Sequence, residues 1–521
     1  MAAQDSKTIL EQDVKILHSM GYAQELSRRM SGFSNFAISF SIICILSGGI
    51  NSLGQATSGV GGAAIGFGWP LGCLISAMFA LALAQISSAY PTAGGLYHWG
   101  SILGNRFTGW LAAWLNLLGL ITVLGAINVG TFYFLIGAFG PLLGLEDTLT
   151  TRVGFVALIT ALQALVNHFG IGLTMKLTDL SGYLMLFAAL ALTAVCLAFA
   201  PGWDFSRLFT WSNYTGTEGA SGVWPNAVST GMAFALGLLL PIYTITGYDA
   251  SAHTAEETVN ASMAVPKGMV SAVLWSSIFG YIMLCAFVLM IPNMDDAAKQ
   301  GWNVFFWGMD KQVPSGIKNF LYVLIFISQW LCGLATVTSL SRMLFAFSRD
   351  GGIPGLSKAL STVSHAHRSP VNAIWFGAIA SVLFVWLTSI IQVGEGVTAY
   401  SVVVSCTVIF LFLSFAVPIA LALVGYGGEK FPKPGPWDLG AGLFKLVSVL
   451  ALVGMAVIIF IGVQPPNALA LSVLVGFLVL AALLWLLLEN RRFKGPPIGA
   501  EIARRQAEIK AAEAAVGGAA G

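Results

Sequence analysis

From Phe33 onward the chain is a succession of apolar runs, each about 20 residues long, separated by short polar links. A run of that length closes its backbone hydrogen bonds internally as a helix and crosses the hydrocarbon of a bilayer, where no water can satisfy a free amide or carbonyl. Twelve such runs are read. They begin near Phe33, Gly66, Trp110, Val153, Leu177 and Thr230, and then near Val270, Ile317, Val371, Ala399, Phe444 and Asn467. Composition agrees: the 521 residues are 57% hydrophobic and 9% charged, whereas soluble domains carry about 25% charged residues. The expectation is an all-α polytopic membrane protein, with a twelve-helix domain over 33–490 flanked by segments 1–32 and 491–521.

Charge then orients the chain. An even number of crossings puts both termini on one side. Assigning that side to the cytoplasm leaves only Arg152, Arg207, Lys299, Lys311 and Lys318 of the 25 basic residues outside, as the positive-inside rule requires. Both termini are therefore expected in the cytoplasm, with the chain in a plasma (inner) membrane and the lipid bilayer as its surroundings. The net charge of +2 gives no footprint for nucleic acid. The first 30 residues lack the apolar core of a cleavable secretory signal. The tail from Arg491 mixes Arg, Lys, Glu and Ala and reads as a solvated helix.

Several chemistries are set aside. The six cysteines all lie in apolar runs without CxxC spacing, so neither a disulfide framework nor a zinc site is indicated. His365 and His367 lack further ligands. No Walker, GxSxG or HExxH motif occurs, which argues against an ATP-driven pump and the commoner membrane hydrolases. No enzyme activity, cofactor or metal is expected.

Two of the runs are interrupted: the first at Ser47-Gly48-Gly49-Ile50-Asn51, the sixth at Thr246-Gly247-Tyr248-Asp249-Ala250-Ser251. Glycine weakens a helix by about 1 kcal/mol relative to alanine, and each amide freed inside lipid costs several more unless a partner satisfies it. Breaks at matching places in two halves of a chain place helix ends near the bilayer midplane, where they hold a charged solute. This predicts a transporter whose helices 1–5 and 6–10 are inverted copies. Helix-terminal amides of the first break suit a carboxylate. Asp249, an acidic residue deep in a span, is expected to face a cavity, where burial favours its protonated form. Tyr243, Tyr248, Trp330 and Thr336 fall at similar depth, and aromatic faces attract ammonium groups.

Four stretches together resemble the amino acid, polyamine and organocation permeases: SFSIICILSGGIN from Ser39, SSAYPTAGGLYHWGS from Ser87, GYDASAHTAEE from Gly247 and SRMLFAFSRDGGIP from Ser341. Within these permeases the amino acid and choline transporter branch, which includes GABA permeases, is the most similar. The resemblance implies a leucine-transporter-like fold with a central site between helices one, three, six and eight. It implies substrate binding by Ser47, Gly48, Gly49, Ile50 and Asn51, to which the depth argument adds Tyr243, Tyr248, Trp330 and Thr336. Asp249 stands where many relatives carry a coupling or gating glutamate, and Tyr97 resembles an intracellular gate residue. Thr338 and Ser339 match the place where sodium-coupled relatives complete a cation site with first-helix carbonyls. Proton-coupled relatives use a fifth-helix lysine there, but Lys176 lies at the start of that helix, so protons and sodium both stay open. Glu256 and Glu257 are expected to pair with Lys267 or loop arginines, and Arg349 with Asp350.

The leading function is secondary transport of an amino acid or small amine such as GABA, by alternating access and coupled to protons. Choline or polyamine transport, a sodium-coupled or exchange mode, a channel and a non-transporting nutrient sensor are the alternatives.

Overall fold

The computed structural model describes residues 2–364, 366–390, 399–465, 467–497 and 500–515. Among the described residues there is no β-strand. We label the apolar helices α1 (Gly32–Gly49), α2 (Ala64–Ala89), α3 (Arg106–Leu143), α4 (Leu149–His168), α5 (Ile171–Ala198) and α6 (Thr230–Thr244). They continue as α7 (Ala261–Met290), α8 (Ser315–Arg349), α9 (Val371–Ile390), α10 (Ala399–Gly425), α11 (Ala441–Gly462) and α12 (Leu469–Arg492). Eleven are long and apolar enough to cross a membrane; α6 is the shorter one.

Most runs start close to their expected residue. Two start well before it. α5 begins at Ile171, straight after Gly170 at φ +96°. α7 begins at Ala261, about two turns before Val270, because the Asp13 carboxylate accepts the Asn260 and Ala261 amides at 2.7 and 3.2 Å. A carboxylate on unpaired first-turn amides stabilises a helix start, and Asp13 lies too far away in sequence for a local pattern to reveal it. Local capping governs the ordinary ends. Asn105 and Thr108 form a capping box before α3, Thr148 and Thr151 another before α4, and α3 stops at Gly144 in the left-handed conformation.

α3 lies along α10 and α8, while α7 packs on α2, α1 and α5. Most of α1 and α3 is buried and little of α12 is, so α12 is peripheral. The two ends of the chain meet at one end of the bundle, where His18 Nε2 contacts Glu513 Oε1 at 2.6 Å. The tail is docked along one face while most of its side chains stay exposed: Ile509 is buried and Arg505 lies 3.6 Å from Asp350. His365 is outside the described residues, and the His367 ring packs on His168 and Phe169.

Candidate functional site

The first interruption falls one turn earlier than Ser47. Residues Gly32–Ile42 are α-helical, Ile43 and Cys44 leave the helix at ψ 39° and 97°, and Ile45–Gly49 resume it as a π-helical turn. Ser47 and Gly48 amides return to the Cys44 carbonyl at 2.9 Å, so the open first-turn amides are those immediately before them. The carbonyls at the gap are held by α8. Gln329 Nε2 donates to Leu46 O at 3.0 Å, and Cys332 Sγ donates to Ile42 O at 3.5 Å.

The sixth run breaks where expected. Its helix ends at Thr244, Ile245 to Gly247 are extended or turned, and helix resumes over Ala250–His253. Gly247 is required twice over: its φ is +85°, and a Cβ there would sit 2.2 Å from Ile42 Cγ2. α1 satisfies the freed backbone. Ser39 Oγ donates to Tyr248 O at 2.8 Å and accepts the Ser251 amide at 3.0 Å, while Asn35 Nδ2 donates to Ser251 O at 2.9 Å. Each break is therefore closed by a neighbouring span, as a membrane interior demands.

Between the breaks lies a small cavity lined by Ser47, Gly48, Tyr243, Thr244, Thr246 and Cys332, with Val123 and Ile127 of α3. The space open to the centre of a water molecule is about 10 Å³, room for a single water. Thr246 Oγ1 is buried there without a partner. One turn further along α1 and α3, Ile50, Asn51, Gly130, Tyr133, Trp302 and Phe306 border a wider pocket of about 200 Å³. Beyond the cavity in the other direction the molecule is sealed. Arg342 grips Glu257 through two hydrogen bonds of 3.0 Å, both side chains fully buried, and Arg349 grips Glu256 at 2.9 and 3.1 Å. Paired forks of this kind are the strongest protein ion pairs.

This geometry divides the expected site residues. Ser47, Gly48 and Tyr243 line the central cavity; Ile50 and Asn51 line the wider pocket. Gly49 faces Met283 and Leu284 of α7. Tyr248 is buried against Phe415 at 5.3 Å, with its hydroxyl unpartnered. Trp330 is half-buried and is engaged through its carbonyl by Gln163. Thr336 bonds Cys332 O of its own helix. Thr338 donates to Asn167 of α4 at 2.7 Å rather than meeting the first helix, and Ser339 Oγ is buried without a partner. The first-helix carbonyls fall to Gln329 and Cys332 because these two side chains sit level with the gap, whereas Thr338 lies further along α8 and is turned toward α4.

The charged residues also choose partners other than those expected. The glutamates take arginines rather than Lys267, Arg342 and Arg349, which stand in the last turns of α8 and not in a loop, and Asp350 accepts from Tyr22 at 2.6 Å and Tyr97 at 2.9 Å. Tyr97 does lie at the sealed end. Burial raises Asp350 above the usual carboxylate range, opposed by Arg349 and the two phenols, and burial together with that carboxylate pushes Tyr22 and Tyr97 up. Asp249 is buried between Asn116 of α3, at 3.0 Å, and His253, at 3.2 Å. Neither neighbour stands out by sequence motif; the signals are an amide inside an apolar run and an i,i+4 spacing from Asp249.

Comparison with known proteins bears on this arrangement. Residues 30–488 match the family described as amino acid permease. The chain is 31% identical to amino-acid permease BAT1 of Arabidopsis thaliana, over 92% of this chain and 95% of the relative. It is also 31% identical to a BAT1 homolog of Oryza sativa subsp. japonica, over 92% and 94%. Amino-acid permease 2 of Neurospora crassa is 26% identical over 95% and 91%. The family assignment indicates transport rather than catalysis, and with broken apolar helices enclosing a small cavity, this integral membrane chain belongs to the amino acid permease family.

Proposed function

We propose that the protein is a secondary transporter of amino acids, with GABA-like amines in the same class, working by alternating access and coupled to protons. The observation that carries the reading is asymmetry. The cavity between the breaks is about 10 Å³, the pocket on one side about 200 Å³, and the other side is closed by two bidentate ion pairs. A solute of amino-acid size enters such a site only if the helices part, and leaves only if the ion pairs separate. A channel would need a continuous lined pore. α6 with its continuation to His253 supplies a twelfth crossing, residues 33–490 act as the transport domain, and helices 1–5 and 6–10 act as the moving inverted copies.

Ser47, Gly48 and Tyr243 hold the solute, with the amides that open the outer half of α1 meeting its carboxylate. Asp249 is the coupling carboxylate. Protons are favoured over sodium because Thr338 commits its hydroxyl to Asn167 and Leu334. In this reading the sealed end and both termini face the cytoplasm, which the basic-residue distribution supports, and the chain sits in a plasma membrane. The test is uptake into proteoliposomes of radiolabelled L-amino acids, GABA, choline and putrescine under a pH gradient or a sodium gradient. Accumulation of an amino acid with the pH gradient is expected. Accumulation of choline or putrescine alone, or by sodium alone, overturns the substrate or the coupling respectively.

A further inference from the structure

His253 has two contacts that together fix a proton count. Its Nδ1 lies 3.1 Å from the Ala93 carbonyl oxygen, and its Nε2 lies 3.2 Å from Asp249 Oδ2. A carbonyl only accepts, so Nδ1 carries a hydrogen. With that hydrogen in place, Nε2 faces the carboxyl group in one of two ways: it carries a second hydrogen and meets an ionised Asp249, or it offers its lone pair to a protonated Asp249. Either arrangement contains one proton more than an ionised aspartate beside a neutral imidazole, which would set a lone pair against an anion. A flipped ring would set carbon atoms against both oxygens and lose both contacts, so hydrogen bonding selects the orientation from which the count is taken.

The surroundings favour holding that proton. Both side chains are fully buried. Asp249 Oδ1 and Asn116 Oδ1 are buried acceptors without a donor, so an unprotonated pair would leave an anion short of hydrogen bonds. The groups facing the pair are Asn116 from α3, Ser414 from α10 through Asn116, the neighbouring Tyr248, and the Ala93 carbonyl. The charged Glu256–Arg349 pair is one link away: Glu256 Oε1 accepts the Ala93 amide at 3.2 Å. Glu257 is matched by Arg342. Tyr97 and His98, beyond Ala93, contact Asp350 and Thr92 instead.

Ala93 belongs to the sealed end, and its amide and carbonyl join Glu256 to His253. We propose that Asp249 and His253 together form a proton-binding site, loaded while that end is closed and emptied when the Ala93 carbonyl withdraws. The proton arrives from water on the open side, is shared between Oδ2 and Nε2, and returns to water on the other side, so the pair alternates between neutral and singly negative. The solute in this scheme rests on the amino acid reading above; the proton site does not.

The site is read first without any solute. Protein labelled with 15N-histidine in lipid nanodiscs gives the His253 ring signals, assigned by their loss in His253→Gln. A protonated Nδ1 and an Nε2 that shares a proton are expected, with Asp249→Asn leaving a neutral ring protonated at Nδ1 alone. A ring with bare Nδ1, or an Nε2 signal indifferent to Asp249→Asn, overturns the proposal. The second reading uses proteoliposomes and a mixture of the standard L-amino acids, taken to plateau so that rate drops out. One pH unit drives about tenfold accumulation per proton carried, and His253→Gln is expected to bring the plateau ratio to about one. A wild-type plateau ratio retained in His253→Gln overturns the coupling role. A wild type that moves no amino acid removes the solute assignment, while the ring signals still decide the proton site.

Discussion

The two interruptions meet the same demand, a broken backbone inside lipid, by different means. The first contains no charged side chain between Gly32 and Gly49, and its free carbonyls are held by the uncharged Gln329 and Cys332 of α8. The second is held by Ser39 and Asn35 of α1 and runs straight into Asp249, His253, Glu256 and Glu257, all buried. A break satisfied by neutral groups keeps its shape at any pH and can serve as a receptor. A break followed by buried charge is sensitive to every proton and every opening of its partners. Binding and coupling can therefore be divided between them.

The largest effect should come from bulk at the first break. A Cβ at Gly48 would lie 2.6 Å from Thr244 Oγ1 and 2.9 Å from Thr244 Cα, and because the second atom is backbone, no side-chain rotation relieves it. Gly48→Leu is expected to abolish solute binding while the protein still inserts. Wild-type affinity in a well-folded variant, measured by ligand-induced melting, would remove the approach of the two breaks from the site.

Next is the charge that follows the second break. Arg342→Ala strands Glu257 as a buried anion, and breaking such a pair costs about 3–5 kcal/mol. Replacing both partners, Arg342→Met with Glu257→Leu, should recover most of that loss, since a buried pair and an apolar pair are of similar net value. Thermal unfolding of the two variants beside the wild type reads this directly. An Arg342→Ala variant as stable as wild type would mean that the sealed end is held by the backbone contacts of Arg29 and Met30 with Glu257 and not by charge.

What could be read in the sequence follows the same division. The apolar runs, the second break and, to within a turn, the first are legible because helix periodicity, glycine and lipid act over a few neighbouring residues. Partner choice is not. Asp350 is met by Tyr22 and Tyr97, Arg342 closes on Glu257 inside α8's neighbours, and Asp13 caps α7, all through contacts between distant parts of the chain. Tyr243 and Tyr248 are expected at similar depth, but depth does not decide direction: Tyr248 turns toward Phe415 while Tyr243 turns to the cavity. His253 was within reach, since an imidazole four residues from a buried aspartate on one short helix has few other places to go.

Thr338→Val is a smaller test, directed at the cation site. Valine keeps the volume but leaves Asn167 Oδ1 without its 2.7 Å donor, a loss of roughly 1–3 kcal/mol in stability. The expected result is a lower melting temperature with unchanged ion dependence of uptake. Loss of a sodium-driven component would return Thr338 and Ser339 to a cation site and take coupling away from the second break.

The smallest expected effect is the sharpest on direction. The Tyr248 hydroxyl is fully buried and has no partner, so it contributes no hydrogen bond and carries an unmet desolvation cost. Tyr248→Phe removes that cost and leaves the ring on Phe415, and the change should be neutral or slightly stabilising. Affinity for the solute should not move, because the ring lies outside the cavity that Tyr243 lines. If affinity instead falls in Tyr248→Phe and melting does not change, the hydroxyl meets the solute in another conformation of the pathway. The second break would then bind as well as couple, and the division between the two interruptions would fail.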